Sequence, residues 1–209
     1  MNGIPVRASD GLVVVDVQND FVSGSLAIPG SEAIIPILNR VMKRFRLIVL
    51  AQDWHPAGHI SFASAHPGTR HGDTVAVAYG TQRVFHDHCV QGTEGAAFDP
   101  RLDTDRASLI VRKGEQRTVD SFSAFRENDR TTYTGLAELL GARGVSRVFC
   151  AGLARYGCVQ ATAEDAQRLG FEVLIVDDAS AGRPTDDATA QDAVLAANGI
   201  GWVSSEQLT

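Results

Sequence analysis

Cysteine is scarce in this sequence, with three residues in 209, and an odd number excludes a fully paired disulfide framework. The expectation is a reduced, cytoplasmic protein. Long apolar runs are missing as well: no segment is long enough to cross a bilayer, and residues 1–10 hold no apolar run of the signal-peptide kind. Nor is there an excess of positive charge. Lys and Arg number 19 against 25 Asp and Glu, a formal net charge of -6, and the basic residues are scattered. Neither nucleic acid nor a membrane surface is therefore expected as a partner. Internal repeats, low-complexity tracts and linker-like stretches are absent too, which predicts a single domain over 1–209.

What the chain does have is an alternation of apolar strands and amphipathic helices. Residues 11–17 (GLVVVDV), 47–52 (LIVLAQ), 108–112 (SLIVR), 148–150 and 171–176 (FEVLIV) read as buried strands, with 202–204 as a short edge strand. Helices are expected from Glu32, capped by Ser31, to about Phe45; over 132–143, stopped by Gly144; from about Cys158 to Leu169, stopped by Gly170; and from a Thr185 cap to near Gly199. Such βα units predict an α/β fold, a mostly parallel sheet of about six strands with helices on both faces. Residues 56–106, rich in Gly, His and Asp, show no clear periodicity, and a loop of that length in a compact domain is usually functional.

The predicted strands carry chemistry at their ends. Asp16, Asp53, Lys113 and Cys158 each fall at or just past the C-terminal end of a different strand, the edge where open parallel sheets bind ligands. Cys158 follows a strand break at Gly152 and opens a helix, so unpaired N–H groups and the helix dipole should favour its thiolate and make it the candidate nucleophile. Asp53, His55 and His59 share one short loop shaped by Pro56 and Gly58. A carboxylate with imidazoles suits zinc, iron or manganese, and one more histidine from His66, His71, His86 or His88 would complete an open catalytic set. Spacing does not choose among them.

Several motifs occur together and in order: Asp16-Val17-Gln18-Asn19-Asp20-Phe21, Gln52-Asp53-Trp54-His55-Pro56 with Gly58-His59 and Ser61-Phe62, His88-Cys89-Val90-Gln91-Gly92-Thr93, Lys113-Gly114, Ser123-Ala124-Phe125, and Gly152-Leu153-Ala154 ahead of Cys158-Val159. Over nearly the whole chain they resemble the nicotinamidase/pyrazinamidase branch of the isochorismatase-like cysteine hydrolases. The resemblance implies Asp16 as general base, Lys113 as electrostatic partner and Cys158 as nucleophile. It implies one divalent metal ion on Asp53, His55 and His88, with His59 as a candidate further ligand. It also implies a cis peptide before Ala154, and an oxyanion hole made by the N–H groups of Ala154 and Cys158.

The implied reaction is hydrolysis of nicotinamide or a close heteroaromatic amide such as pyrazinamide, with Phe21, Phe85, Phe122, Tyr156 and Gly157 around the ring. The chain departs from the family beside the pocket. Arg155-Tyr156-Gly157 stands where Thr, Asp and an aromatic or His are usual, Phe85-His86 where Trp-Pro is usual, and Phe122 where Tyr is common. Gly157 removes a ring from one wall, so a larger substrate should fit. Arg155 is expected either to pair with a substrate carboxylate or to face a subunit contact. The alternatives are an amidase for another small amide or urea-like compound, and a catalytically silent ligand-binding member of the fold. The expected partner is the small-molecule amide, with a homo-oligomer left open.

Overall fold

The computed structural model describes residues 3–182 and 188–209. In chain order the strands are β1 (Asp10–Val15), β2 (Leu47–Asp53), β3 (Thr74–Val77), β4 (Gly80–Arg83), β5 (Leu109–Lys113), β6 (Arg147–Leu153), β7 (Glu172–Ala181) and β8 (Ile200–Val203). The α-helices are α1 (Asn19–Val22), α2 (Ser31–Met42), α3 (Leu136–Ala142), α4 (Gln160–Arg168) and α5 (Ala188–Ala197). Six strands form one sheet in the order β5-β2-β1-β6-β7-β8, every neighbour pair parallel. The expected six-stranded parallel architecture is what the chain adopts.

Strand periodicity divides the core into two layers. Leu12 and Val14 of β1 face one side, where they join Ile34, Ile35, Leu38, Val41 and Met42 of α2. Val13 and Val15 face the other, with Leu136 and Leu140 of α3 and Val159, Ala163 and Ala166 around α4. Because both faces are covered, the central strands read as continuous apolar runs, and all six residues of β1 are buried.

Topology places the site. The chain moves outward from β1 to β2 and β5, then returns to the other side of β1 as β6. The C-terminal ends of β1 and β6 therefore flank the point where the strand order reverses, the position at which open α/β sheets form a crevice. Gly152 lets β6 run close to β1 there: its φ is 117°, and a Cβ would overlap the Val15 carbonyl. The expected break at Gly152 is a register shift against β7 between Cys150 and Gly152, while the strand itself runs on to Leu153.

Several local expectations are corrected. Ser31 does not cap α2; Gly30, at φ 85°, precedes the helix, and the Ser31 hydroxyl donates to the Val22 carbonyl at 3.0 Å. The 132–143 helix begins only at Leu136, because Thr132 is tied to the Asp129 carboxylate at 2.7 Å and Thr134 to the Ala124 carbonyl at 2.7 Å. Cys158 lies in a wide, kinked turn over Arg155–Val159, two residues ahead of α4. The 56–106 stretch holds the antiparallel β3–β4 hairpin. The proposed Thr185 cap lies outside the described residues.

Candidate active site

Four strand ends converge as the sequence predicts. The Lys113 ammonium, at the end of β5, is fully buried; it lies 2.8 Å from Asp16 Oδ2, 3.6 Å from Cys158 Sγ and in a close ion pair with Asp53 Oδ1. Side-chain donor atoms of Asp16, Asp53 and Cys158 all fall within 4.8 Å of one another. The lysine and the Cys158 thiol both face the Asp16 carboxylate.

The electrostatics follow from burial. Asp16 is raised to about 7 by desolvation first and by the Asp53 charge second, against the pull of Lys113. Desolvation also pushes the Cys158 thiol well above its ordinary value, and the two carboxylates add to that shift while Lys113 opposes it. Contrary to the thiolate expected from the helix dipole, the sulfur, desolvated and beside two carboxylates, keeps its proton. A neutral thiol beside a base whose pKa lies near 7 is a pair set up for proton transfer. Cys150 is driven up to about 12 by burial alone, and the thiol of Cys89 is raised further still by burial and carboxylates.

Beside the thiol stands a donor set fit for a cation. Asp53, His55 and His88 are buried, and their ligand atoms lie within 4.8 Å of one another. His55 Nδ1 bonds the Gly114 carbonyl at 2.9 Å, and His88 Nδ1 bonds the His86 carbonyl at 2.7 Å. A carbonyl only accepts, so both rings carry the proton on Nδ1 and leave the Nε2 lone pair for a metal. Three such ligands leave positions open for water or substrate.

His59 is arranged differently. Its Nε2 donates to the Val119 carbonyl at 3.0 Å, Nδ1 meets the Ser61 hydroxyl at 2.7 Å, and the ring stacks on His55 at 4.1 Å, with its ligand atom within 4.8 Å of those of His55 and Asp120. His66 Nε2 is bound to the Ile60 carbonyl at 2.8 Å, and His71 and His86 stack on each other at 4.7 Å.

A cleft of about 670 Å³ opens over this floor, and Phe21, Phe85, Phe122, Tyr156 and Gly157 all line it together with Asp53, His88 and Cys158. Among the described residues only the Ala154 Cβ comes within 4 Å of a Cβ built on Gly157, at 3.6 Å, so they leave that wall open. The Leu153–Ala154 peptide is cis, as expected. The Ala154 carbonyl accepts the Gly157 and Val159 N–H groups at 2.9 and 3.1 Å, which holds the nucleophile turn closed.

Arg155 does not reach for substrate. Its guanidinium pairs with Asp177 at 2.9 Å and Asp192 at 3.4 Å between the Tyr156 and Trp202 rings, bracing the turn against β7 and α5. Sequence reasoning also passed over three buried polar residues. Gln18 brackets Asp53, accepting its N–H and donating to its carbonyl at 2.8 Å each. Asp120 takes a hydrogen bond from Gln82 at 2.6 Å beside the cleft. Glu127 meets the Gly114 N–H. Of these only Gln18 sat in a motif; the others come from loops whose partners are distant in sequence.

A half-buried thiol beside a buried carboxylate and ammonium at the switch point of a parallel sheet, next to a three-donor cation site, defines an α/β cysteine hydrolase. The chain belongs to the isochorismatase family, whose domain matches residues 10–207. It is 48% identical over 169 residues to a nicotinamidase of Acinetobacter baylyi, covering 80% of this chain and 79% of that one. Among solved structures it matches an Acinetobacter baumanii nicotinamidase/pyrazinamidase with a TM-score of 0.92 at 41% identity, over 96% of this chain and 98% of the other. A Pyrococcus horikoshii pyrazinamidase in complex with zinc matches with a TM-score of 0.77 at 34% identity, over 94% and 99%.

Proposed function

We propose that this protein is a metal-dependent amidohydrolase that converts nicotinamide, or a close heteroaromatic amide such as pyrazinamide, to the acid and ammonia through a thioester on Cys158. The observation that carries this reading is the placement of Cys158 Sγ beside the ion-paired Asp16 carboxylate and Lys113 ammonium at the floor of an aromatic cleft. The nicotinamidase relatives support the substrate.

Asp16 accepts the thiol proton, and the freed sulfur attacks the amide carbon. Lys113, whose ammonium is held well above its usual pKa by Asp16 and Asp53 despite the opposing desolvation, stabilises the charge that passes through the site. The N–H groups of Ala154 and Cys158 receive the oxyanion. Asp16 returns its proton to the leaving nitrogen, the C–N bond breaks, ammonia departs and the thioester remains. A water that gives its proton to Asp16 then attacks the thioester carbon, the C–S bond breaks, and the sulfur regains the proton as the acid leaves. Asp53, His55 and His88 would hold the divalent ion, zinc, iron or manganese, which when bound supplies a Lewis-acidic point for the ring nitrogen and so orients the amide. Phe21, Phe85, Phe122 and Tyr156 flank the ring. His59 buttresses His55 by stacking.

Ammonia release from nicotinamide, pyrazinamide, benzamide and small urea-like amides, with and without a chelator, tests the reading. Nicotinamide and pyrazinamide should be hydrolysed, benzamide much less for want of a ring nitrogen, and chelation should stop the reaction until divalent metal is restored. Full activity of metal-free protein would remove the metal from the scheme. Turnover confined to another amide would favour the second reading, an amidase for a different small amide, for which the open wall at Gly157 speaks.

A further inference from the structure

One buried carboxylate close to this machinery has no part in the chemistry above. Glu127 is 5% exposed, and both of its oxygens lie 3.2 Å from the Gly114 N–H. Its own backbone is fixed on both sides: the Glu127 N–H donates to the Thr132 carbonyl at 2.9 Å, and its carbonyl accepts the Arg130 N–H at 3.1 Å. Gly114 is equally constrained. It directly follows Lys113, has φ 65°, and presses so close to the His55 ring that a Cβ there would overlap it. Its carbonyl receives the His55 Nδ1 proton at 2.9 Å. A single residue, Gly114, thus links the Glu127 carboxylate, bonded to its N–H, to a metal-ligand histidine, bonded to its carbonyl, and it directly follows the strand that delivers Lys113.

We propose that Glu127 is a positioning residue that acts through the Gly114 backbone, fixing the His55 ring with Nε2 toward the metal and holding Lys113 between Asp16 and Asp53. The proposal rests on the reading of Asp53, His55 and His88 as the metal site. Its physical basis is positional. The Glu127 carboxylate pins the N–H side of Gly114, and with it the Lys113–Gly114 peptide, so that the Gly114 carbonyl on the other side of the Cα stays where it accepts the His55 Nδ1 proton and orients the imidazole. In many metal sites a carboxylate bonds the ligand histidine directly; here one backbone residue stands between them. Burial pushes the Glu127 carboxyl up to about 7, against the Gly114 N–H and the Lys113 charge.

Three variants separate this role from mere packing. Glu127→Gln keeps an acceptor for the Gly114 N–H at full length, Glu127→Asp keeps the charge but is one methylene too short to reach, and Glu127→Ala keeps neither. Zinc affinity is measured by competition with a chromophoric chelator, and kcat and KM for nicotinamide at saturating zinc. Glu127→Ala and Glu127→Asp should bind zinc about 10–100-fold more weakly, and kcat should fall more than KM rises, while Glu127→Gln recovers most of both. If Glu127→Ala does not fold, the Gln and Asp pair carries the comparison. Equal zinc affinity in parent, Gln and Asp variants would overturn the role of Glu127 and leave the metal site standing. A parent protein that binds no divalent metal would instead sink the metal site, and this proposal with it.

Discussion

Asp16 holds φ at 53°, a left-handed conformation that few side chains other than glycine adopt, directly after the last residue of β1. Strain of about 1–2 kcal/mol at such a residue persists only where the surroundings enforce it, and here its N–H bonds the Ala51 carbonyl while its own carbonyl takes the Gln18 N–H. The result aims a carboxylate at Cys158. Since that carboxylate must be ionised to take the thiol proton, kcat/KM should fall tenfold per unit as pH drops below its pKa. Burial and Asp53 hold that pKa at about 7, and a cation on Asp53 relieves the second contribution, so the acid limb should lie at about 7 or somewhat lower. A pH profile flat down to the ordinary carboxylate range would contradict Asp16 as the base. Gly157 sets the other residue-scale expectation: Gly157→Tyr should discriminate against bulky ring-substituted amides relative to nicotinamide by roughly 1–3 kcal/mol in the ratio of kcat/KM values. An unchanged ratio would show that the open wall does not receive substrate. Asp16, Asp53, Lys113 and Cys158 were legible in the sequence because each follows an apolar run. The state of the thiol was not, because it depends on two carboxylates that arrive from other strands.

At the scale of elements, α4 is anchored by one buried acid. Asp165 takes hydrogen bonds from Arg126 at 2.8 Å, Arg130 at 3.1 Å and Arg168 at 3.0 Å. Arg126 and Arg130 belong to the same segment that brings Ser121 and Phe122 to the cleft, so this contact couples that segment to the helix that follows the Cys158 turn. Burial by itself would raise the Asp165 carboxyl, but the hydrogen bond from Arg126 and the charge of Arg130 outweigh it and hold the group below its usual range. A folded-state pKa below the unfolded one means the stabilisation is complete above the unfolded carboxylate value and is lost as pH falls through the folded value. Asp165→Asn should therefore cost roughly 1–3 kcal/mol in denaturant unfolding at neutral pH, chiefly through the half-buried Arg126, and the difference from the parent should shrink in acid. A difference that stays constant with pH would assign the loss to packing. The strands and α2 were readable because burial on one or both faces writes itself into local periodicity. The start of α3 and the β3–β4 hairpin were not: Thr132 and Thr134 are claimed by partners outside the helix, and β4 (GTQR) buries one residue of four, Gln82. The partners of Arg155 were hidden for the same reason, since Asp177 and Asp192 meet it only after β7 and α5 are in place.

For the whole molecule, the reversal of strand order between β1 and β6 determines where chemistry sits. A parallel sheet buried on both faces leaves its strand ends as the only place where separate segments deliver polar side chains to one point, and β1, β2, β5 and β6 supply Asp16, Asp53, Lys113 and the Cys158 turn there. Such a site is as rigid as the sheet, which suits a reaction that depends on sulfur, base and carbonyl being held in line. The three cysteines make the claim testable in one assay. Cys89 and Cys150 are buried and inert by geometry, and only Cys158 reaches the cleft. The decisive measurement is ammonia release from nicotinamide by metal-loaded Cys158→Ala beside Cys89→Ala, Cys150→Ala and the parent. Cys158→Ala should lose several orders of magnitude in rate, about 10³-fold or more, with zinc still bound and the fold intact, while the other two keep most of the activity. Turnover by Cys158→Ala close to that of the parent, or an equal loss in metal-loaded Cys89→Ala, would contradict the assignment of the nucleophile.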